Sequence, residues 1–600
     1  LGSSPSWSTL KIKQLSRNRL TAFFVLGNML ETTNSSLQKE CIIKERHRNS
    51  SFKIWWFQLF AVSLRHTNKG ERIMANNEYR KLPTGIQSFN KIRKENYLYV
   101  DKTDIIWNLA NKGKQYNYLS RPRRFGKSVL IDTLQCYFEG RKELFEGLKI
   151  MDLEKDWKVY PVIRLDMSRG GANAETLRSY LNLRFGFYEE KYAITPDSTA
   201  QLADRFDAII TTAYKQTGLK VAILIDEYDS PLQHSWKTPE HEACTEVYRE
   251  VFAILKADDE YERLVFITGI TKFTQISLFS VLNNLTNISF LPEYAAICGI
   301  TEEEIKENFK PELEKMAEVN GWTLQETHDK LKDYYDGYHF SRRNMVDIYN
   351  PFSLINALDT QDLNSYWASS GATSMLPKFI KDAELRLPDF EDCMILRNTL
   401  ETSDVTGGGP ELFLYQSGYL TIKSCVGNVY HLGFPNEEVK QALYECVLPA
   451  LTMQQEADTQ SLQAQLYQYL EYKELDKAMK ALKALVADVP YSNKKLASMD
   501  MEERYRLIIS TILNAIGLKV EVEHMLSTGR IDLIVKTTHH IYVIELKLRN
   551  NGGKEAAIKQ IQNRQYLEPF KADKREVVGL GIELDEEGKG VLDWEMINEE

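Results

Sequence analysis

The sequence predicts an α/β protein: a parallel-sheet module in its first half, a helical middle region, and a smaller α/β domain at the C-terminus. Three stretches carry that prediction. Tyr116-Asn-Tyr-Leu-Ser120 reads as a short strand, and Val129 to Phe138 reads as a helix, with apolar residues at helical spacing and Gly140 beyond its end. Val221-Ala-Ile-Leu-Ile225 is an unbroken apolar run, the pattern of a parallel-sheet strand buried on both faces. Near the C-terminus, Glu502 to Ile516 reads as a helix ended by Gly517. Val520 to Met525, Gly529 to Val535 and Ile541 to Leu548 follow as strand-like segments.

The chain has 600 residues, enough for several domains. Apolar residues make up 43% and charged residues 26%, so packed cores are expected rather than disorder. The net charge of -9 gives no whole-chain signal for nucleic acid, yet leaves room for a local basic cleft. Seven scattered cysteines with no CxxC give no support to a zinc site and point to thiols in a reducing compartment, hence a cytoplasmic location. The apolar run from Trp55 to Leu64 is too short to cross a bilayer, so no membrane is expected as a partner.

Residues 1–73 differ from the rest. They carry 12 Lys and Arg against 4 Asp and Glu, with no sustained helical or strand period. Lys69-Gly70-Glu71 can be encoded by a purine run resembling a bacterial ribosome-binding site, just ahead of Met74. The expectation is a translated leader that is not native, with Met74 as the start; the competing reading is a basic arm that touches nucleic acid or membrane.

Between the first strand and its helix stands Arg121-Pro-Arg-Arg-Phe-Gly-Lys-Ser128. This is the context of a phosphate-binding loop. Amides at a helix N-terminus point at phosphates, and the helix dipole favours negative charge. Gly126 allows close backbone approach, Lys127 reaches the β- and γ-phosphates, and the Ser128 hydroxyl ligates Mg²⁺. The pattern GxxxxGKS/T puts its first glycine where this chain has Arg121, so the loop alone is a degenerate match. The second half of the site comes from the run ending in Asp226-Glu227-Tyr-Asp229, whose acids lie where α/β sheets bind ligands. Asp226 is expected to hold Mg²⁺, directly or through water, and Glu227 to orient the attacking water. A third strand, Leu264 to Thr268, runs into Gly269-Ile-Thr271-Lys272. Thr268 and Thr271 are candidates to sense the γ-phosphate, against the plainer role of capping the next turn.

With these segments on view, the chain resembles the bacterial AAA-ATPase-like family, whose members often carry a C-terminal PD-(D/E)XK nuclease-like domain. The resemblance covers about residues 79 to 290. It rests on Tyr99-Val-Asp-Lys-Thr103, the Arg121–Ser128 loop, Leu144-Phe-Glu-Gly-Leu148, Pro161-Val-Ile, Leu224-Ile-Asp-Glu-Tyr-Asp-Ser-Pro-Leu232 and Thr268-Gly-Ile-Thr-Lys. It implies that Arg121 is typical of the loop and that ATP and Mg²⁺ are cofactors. Arg123 and Arg124 are assigned the phosphate-facing charge in place of the glycine-rich backbone.

From Thr301 the pattern turns helical; Thr301-Glu-Glu-Glu304 opens a helix with an N-cap and early acids. Residues 291–400 are expected to form a lid and residues 401–494 a mixed linker. There Gly407-Gly-Gly-Pro410 is a turn or linker, Phe413 to Leu420 and Val429 to Phe434 are strand-like, and Leu475 to Val486 is an amphipathic helix. Arg342 and Arg343 could act as arginine fingers, though a solvated pair is the plainer reading.

At the C-terminus, Glu545 and Lys547 lie two apart in a run otherwise buried on both sides, so both project from one face. Buried charges of this kind need each other or a metal. Asp532 lies 13 residues earlier, within reach across a hairpin. Two carboxylates can hold Mg²⁺ through oxygen, and Lys547 can position a nucleophile or stabilise a transition state. The arrangement Asp532…Glu545-Leu-Lys547 resembles the PD-(D/E)XK site over about residues 495 to 598, with Ile531 in place of the proline. Gln560 resembles the glutamine of the following helix, and Glu502 or Glu503 the acid of the first helix. The two resemblances together imply an ATP-regulated, metal-dependent hydrolysis of phosphodiester bonds in DNA or RNA, possible as a homo-oligomer. The alternatives are a nucleotide-dependent nucleic-acid-binding switch with an inactive nuclease fold, and a scaffold in which neither site turns over.

Overall fold

The computed structural model describes residues 81–197, 199–273, 284–367, 387–402, 408–451, 456–487 and 499–598, with single positions at 376 and 379. The expectations for residues 1–73 and for Gly407 fall outside the described residues. Five parallel strands make the first sheet: β1 (Tyr116–Ser120), β2 (Val162–Asp166), β3 (Val221–Asp226), β4 (Glu262–Gly269) and β5 (Thr286–Asn287), in the order β2-β3-β4-β1-β5. Every residue of β3 is buried, as its apolar run requires. Burial of each of its large aliphatic side chains contributes about 1.5–3 kcal/mol. Helices Lys127–Phe138, Ala174–Lys191, Leu202–Thr217 and Glu240–Ala257 supply the amphipathic cover. Ser120 pairs with Gly269 and Ile225 with Ile267, so the carboxyl ends of β1, β3 and β4 lie together, at the edge where such sheets take ligands.

The chain then turns helical at Thr301. Its hydroxyl accepts from Glu304 N (3.3 Å), while Thr301 N donates to the Glu304 carboxylate (2.9 Å), a reciprocal capping box for helix Glu302–Asn308. Helices Lys310–Asn320, Leu324–Tyr335 and Pro351–Thr360 gather a second core around Phe309, Leu313, Met316 and Leu354. Here β6 (Ile300–Thr301) pairs antiparallel with β7 (Ile348–Tyr349).

A three-stranded antiparallel sheet follows, β8 (Cys393–Leu396), β9 (Thr421–Val426) and β10 (Val429–Gly433), in the order β8-β10-β9. One expectation is corrected here. Phe413 to Leu420, read as strand-like, belongs for its first five residues to helix Gly409–Ser417, and the strand begins only at Thr421. The apolar run is too short for its period to decide, but its punctuation is helical: Pro410 stands in the first turn and Gly418, at φ 92°, closes the end. A Cβ on Gly418 would lie 2.5 Å from Pro122, so this glycine also lets the helix end pack against the phosphate-binding loop.

The C-terminal domain opens with helix Met501–Ala515. It continues as a five-stranded sheet in sequential order: β11 (Lys519–Leu526), β12 (Gly529–Lys536), β13 (His540–Leu548), β14 (Glu576–Leu584) and β15 (Val591–Asn598). Only β13 and β14 are parallel, joined through helix Gly553–Asn563. Among the described residues no helix is long and apolar enough to cross a membrane.

Candidate functional site

The loop after β1 wraps the N-terminus of helix Lys127–Phe138. Arg124 (φ 65°) and Gly126 (φ 90°) both adopt left-handed backbone, and a Cβ on Gly126 would meet nothing within 4 Å. Successive turns of this kind aim amides into a concavity suited to an anion. That concavity is the floor of a cavity of about 510 Å³, and Arg123, Arg124, Gly126, Lys127, Ser128 and Glu227 all line it. The Lys127 ammonium folds back onto its own loop, donating to the carbonyls of Arg121 and Pro122 at 2.9 Å each. Burial lowers its pKa, against the pull of Glu227, Asp226 and Asp229. Burial also raises Glu227, offset by Lys127. Glu227 holds φ 47°, a strained backbone for a non-glycine residue and one that functional sites tend to concentrate.

The residue in the place of the first glycine has a structural post. Arg121 is 1% exposed; its guanidinium donates to the carbonyls of Ser120 (2.8 Å), Ser289 (3.0 Å) and Tyr294 (2.9 Å) and lies 4.0 Å over the Phe340 ring. It braces the loop's entry against the segment after β5. Arg124 instead stacks on Phe352, 4.7 Å from its ring.

Two expected residues sit off the cavity wall. Asp226, 3% exposed, accepts from the Thr268 hydroxyl (2.7 Å) and from Glu227 N (3.1 Å). Thr271 is placed differently from the expectation of a phosphate-facing hydroxyl. It is fully buried, and its hydroxyl donates to Asp229 at 2.7 Å. Asp229 is the residue that sequence reasoning missed: its carboxylate also accepts from Ile270 N (3.0 Å), Thr271 N (2.6 Å) and Gln233 (2.6 Å), clamping the turn after β4.

In the C-terminal domain the register Leu533↔Ile544 brings Asp532 opposite Glu545, as the hairpin spacing expected. Asp532 N donates to Glu545 Oε1 (3.3 Å), and Gln560 Nε2 donates to Glu545 Oε2 (2.9 Å). Lys547 Nζ stands 3.8 Å from both Glu545 and Glu502. Of the two acids left open in sequence, Glu502 faces this strand, accepting from Leu548 N (3.1 Å) and Asn551 (3.0 Å). Burial and the neighbouring Asp532 charge push the Glu545 carboxyl well above the usual carboxylate range. Asp532 accepts from Leu546 N (3.0 Å) and from Arg506 (2.8 Å), whose other nitrogen pairs with Glu523 (2.7 Å). Arg506 was not read from sequence, because no strand period or motif marks it.

Two adjacent buried carboxylates, with Arg506 on one and Lys547 3.8 Å from the other, offer oxygen donors of the kind a divalent cation takes. No cluster of three or more His, Cys, Asp or Glu is placed to hold a metal among the described residues. A cation at Asp532 and Glu545 would therefore keep several waters.

Comparison with known proteins agrees with both halves. Residues 83–279 match the family described as "Predicted AAA-ATPase", and residues 500–594 match the PD-(D/E)XK nuclease superfamily. The chain is 31% identical over 530 residues to an Azotobacter chroococcum mcd 1 protein described as "Uncharacterized protein in vnfD 5'region", covering 86% of this chain and 98% of that one.

Proposed function

The chain belongs to the AAA-ATPase-like family and carries a C-terminal PD-(D/E)XK nuclease superfamily domain, and from that premise we propose that it is an ATP-regulated, metal-dependent nuclease. The observation that carries the first half is the convergence of Gly126, Lys127, Ser128 and Glu227 on one cavity at the carboxyl edge of a parallel sheet. Loop amides and the helix N-terminus cradle the phosphates. Lys127 exchanges its two loop carbonyls for β- and γ-phosphate oxygens, and Arg123 and Arg124 add charge at the rim. Ser128 and Asp226 would hold Mg²⁺ through their oxygens, Asp226 directly or through water. Glu227 orients the water that attacks the γ-phosphorus.

The second half rests on Asp532, Glu545, Lys547 and Gln560. The carboxylates of Asp532 and Glu545 would hold a divalent cation, which when bound acidifies a water and offsets charge on the phosphate. Gln560 fixes the rotamer of Glu545, and Lys547 holds the attacking oxygen by its ammonium. In the reaction a water oxygen bonds to phosphorus, one P–O ester bond breaks, and the leaving oxygen takes up a proton. Arg506 on Asp532 favours the second reading, a nucleotide-dependent nucleic-acid-binding switch without cleavage, since its guanidinium already satisfies one carboxylate oxygen.

The first half is tested by calorimetry with ATP and by phosphate release. Wild type is expected to bind and Lys127→Ala to lose binding; equal affinity in the two would overturn it.

A further inference from the structure

Lys102 belongs to the Tyr99-Val-Asp-Lys-Thr103 segment. It lines the same cavity as the phosphate-binding loop, although it precedes β1 and the loop follows it. Its position is fixed by the neighbouring Asp101, whose carboxylate accepts from Thr103 N (2.9 Å), the Thr103 hydroxyl (2.6 Å) and Lys149 N (2.7 Å). Lys102 is only 8% exposed, and its ammonium lies 2.6 Å from the Glu304 carboxylate. Burial lowers its pKa and Glu304 holds it up. Glu304 is no surface acid: it is the returning half of the capping box that starts helix Glu302–Asn308. The same segment ties into the helical region a second way, since Leu98 is buried in the core formed by Ile305, Phe309 and Leu354.

We propose that Lys102 is a second ligand-binding lysine of this cavity, shared between Glu304 and the anionic phosphate chain of a bound nucleotide, so that filling the cavity loosens the start of helix Glu302–Asn308. The proposal rests on the reading of the cavity as an ATP site. The physical basis is competition for one ammonium. A carboxylate 2.6 Å away and a polyphosphate with more charge cannot both hold it at full strength inside a wall of low dielectric. By thermodynamic reciprocity, whatever the nucleotide takes from Glu304, Glu304 takes from nucleotide affinity. Lys102 and Lys127 then act alike: each lines the cavity, each is satisfied by protein oxygens, and each is available to a ligand that offers better ones.

Two substitutions separate this role from a structural ion pair. Glu304→Gln removes the competing charge yet keeps the cap, because a glutamine at this helix position serves a capping box as well as glutamate does. Lys102→Met keeps the aliphatic stem and removes the ammonium. Calorimetry with a non-hydrolysable ATP analogue on the full chain is expected to show tighter binding for Glu304→Gln and weaker binding for Lys102→Met, each by roughly fivefold or more. In the Lys102→Met background, Glu304→Gln should have no further effect. In wild type, the analogue should speed amide hydrogen exchange at residues 304–306. A purely structural pair would weaken binding in both single variants or change it in neither, and either result overturns the proposal, as does unchanged exchange in wild type. If wild type does not bind the analogue at all, the ATP reading falls first and takes this one with it. Binding that is lost in Lys127→Ala but indifferent to Lys102 and Glu304 removes this inference alone.

Discussion

Replacing Arg121 by the glycine that a standard phosphate-binding loop carries at that place should damage the protein. The reason lies in what the guanidinium holds. Three carbonyls, those of Ser120, Ser289 and Tyr294, accept from it at 2.8–3.0 Å, and the Phe340 ring lies 4.0 Å beneath it. Hydrogen bonds from a charged donor contribute about 1.5–3 kcal/mol each, and a desolvated cation–π contact about 2 kcal/mol. Against these stands the cost of burying an unpaired charge, visible in the way burial pushes the Arg121 pKa down to about 10, and in an Nε that has no partner among the described residues. The balance leaves Arg121→Gly destabilised by about 3–5 kcal/mol, in the range typical of removing one member of a buried network. Because Ser289 and Tyr294 anchor the loop's entry, nucleotide affinity should fall as well. Urea unfolding followed by tryptophan fluorescence, with ATP calorimetry on the folded fraction, measures both. A glycine variant as stable as wild type, binding ATP as well or better, would refute the assignment of Arg121 as a brace.

Gly126→Ala should fold but bind ATP more weakly: its φ of 90° costs an L-residue about 1–2 kcal/mol, while the new methyl meets no protein atom and points into the open cradle. Unchanged affinity would show that the cradle is not where phosphate lies. Glu262→Gln should change how stability depends on pH. Burial lifts the Glu262 carboxyl to about 8, beside the Tyr116 hydroxyl at 2.6 Å. Unfolded, it titrates near 4.3. Between those values the unfolded chain releases a proton that the folded chain keeps, so wild type loses stability as pH rises through that window, by up to about 1.4 kcal/mol per unit. The variant lacks this slope and should gain on wild type from about pH 5 to about pH 8; parallel urea midpoints across that range would contradict the burial argument.

Much of the chemistry was legible because it lies on regular elements. The apolar run at Val221 to Ile225 could only be a doubly buried strand, and it delivers Asp226 and Glu227 to the carboxyl edge. The two-residue period of β13 put Glu545 and Lys547 on one face, and the hairpin length set Asp532 opposite Glu545. What stayed hidden depends on contacts between distant segments. Asp229 reads as one more acid after a strand, but only the turn after β4, some forty residues on, shows its carboxylate as a clamp that withdraws Thr271 from the cavity. Arg506 meets Asp532 from another helix, and Lys102 meets Glu304 across 202 residues of chain; no local pattern announces either pair. The Gly409–Ser417 helix stays hidden for a different reason, since the short run of Leu412, Phe413, Leu414 and Tyr415 fits a strand and a helix equally well.

In the proposed function the C-terminal carboxylates and lysine form a working phosphodiesterase under nucleotide control. The most direct measurement is cleavage of single- and double-stranded DNA and RNA in Mg²⁺ or Mn²⁺, with and without ATP, by wild type, Lys547→Ala and Asp532→Ala. Wild type is expected to cut in a metal-dependent way that changes with ATP, and both variants are expected to lose it. Nucleic acid bound but uncut by wild type under every condition, or cut equally well by Lys547→Ala, would contradict it.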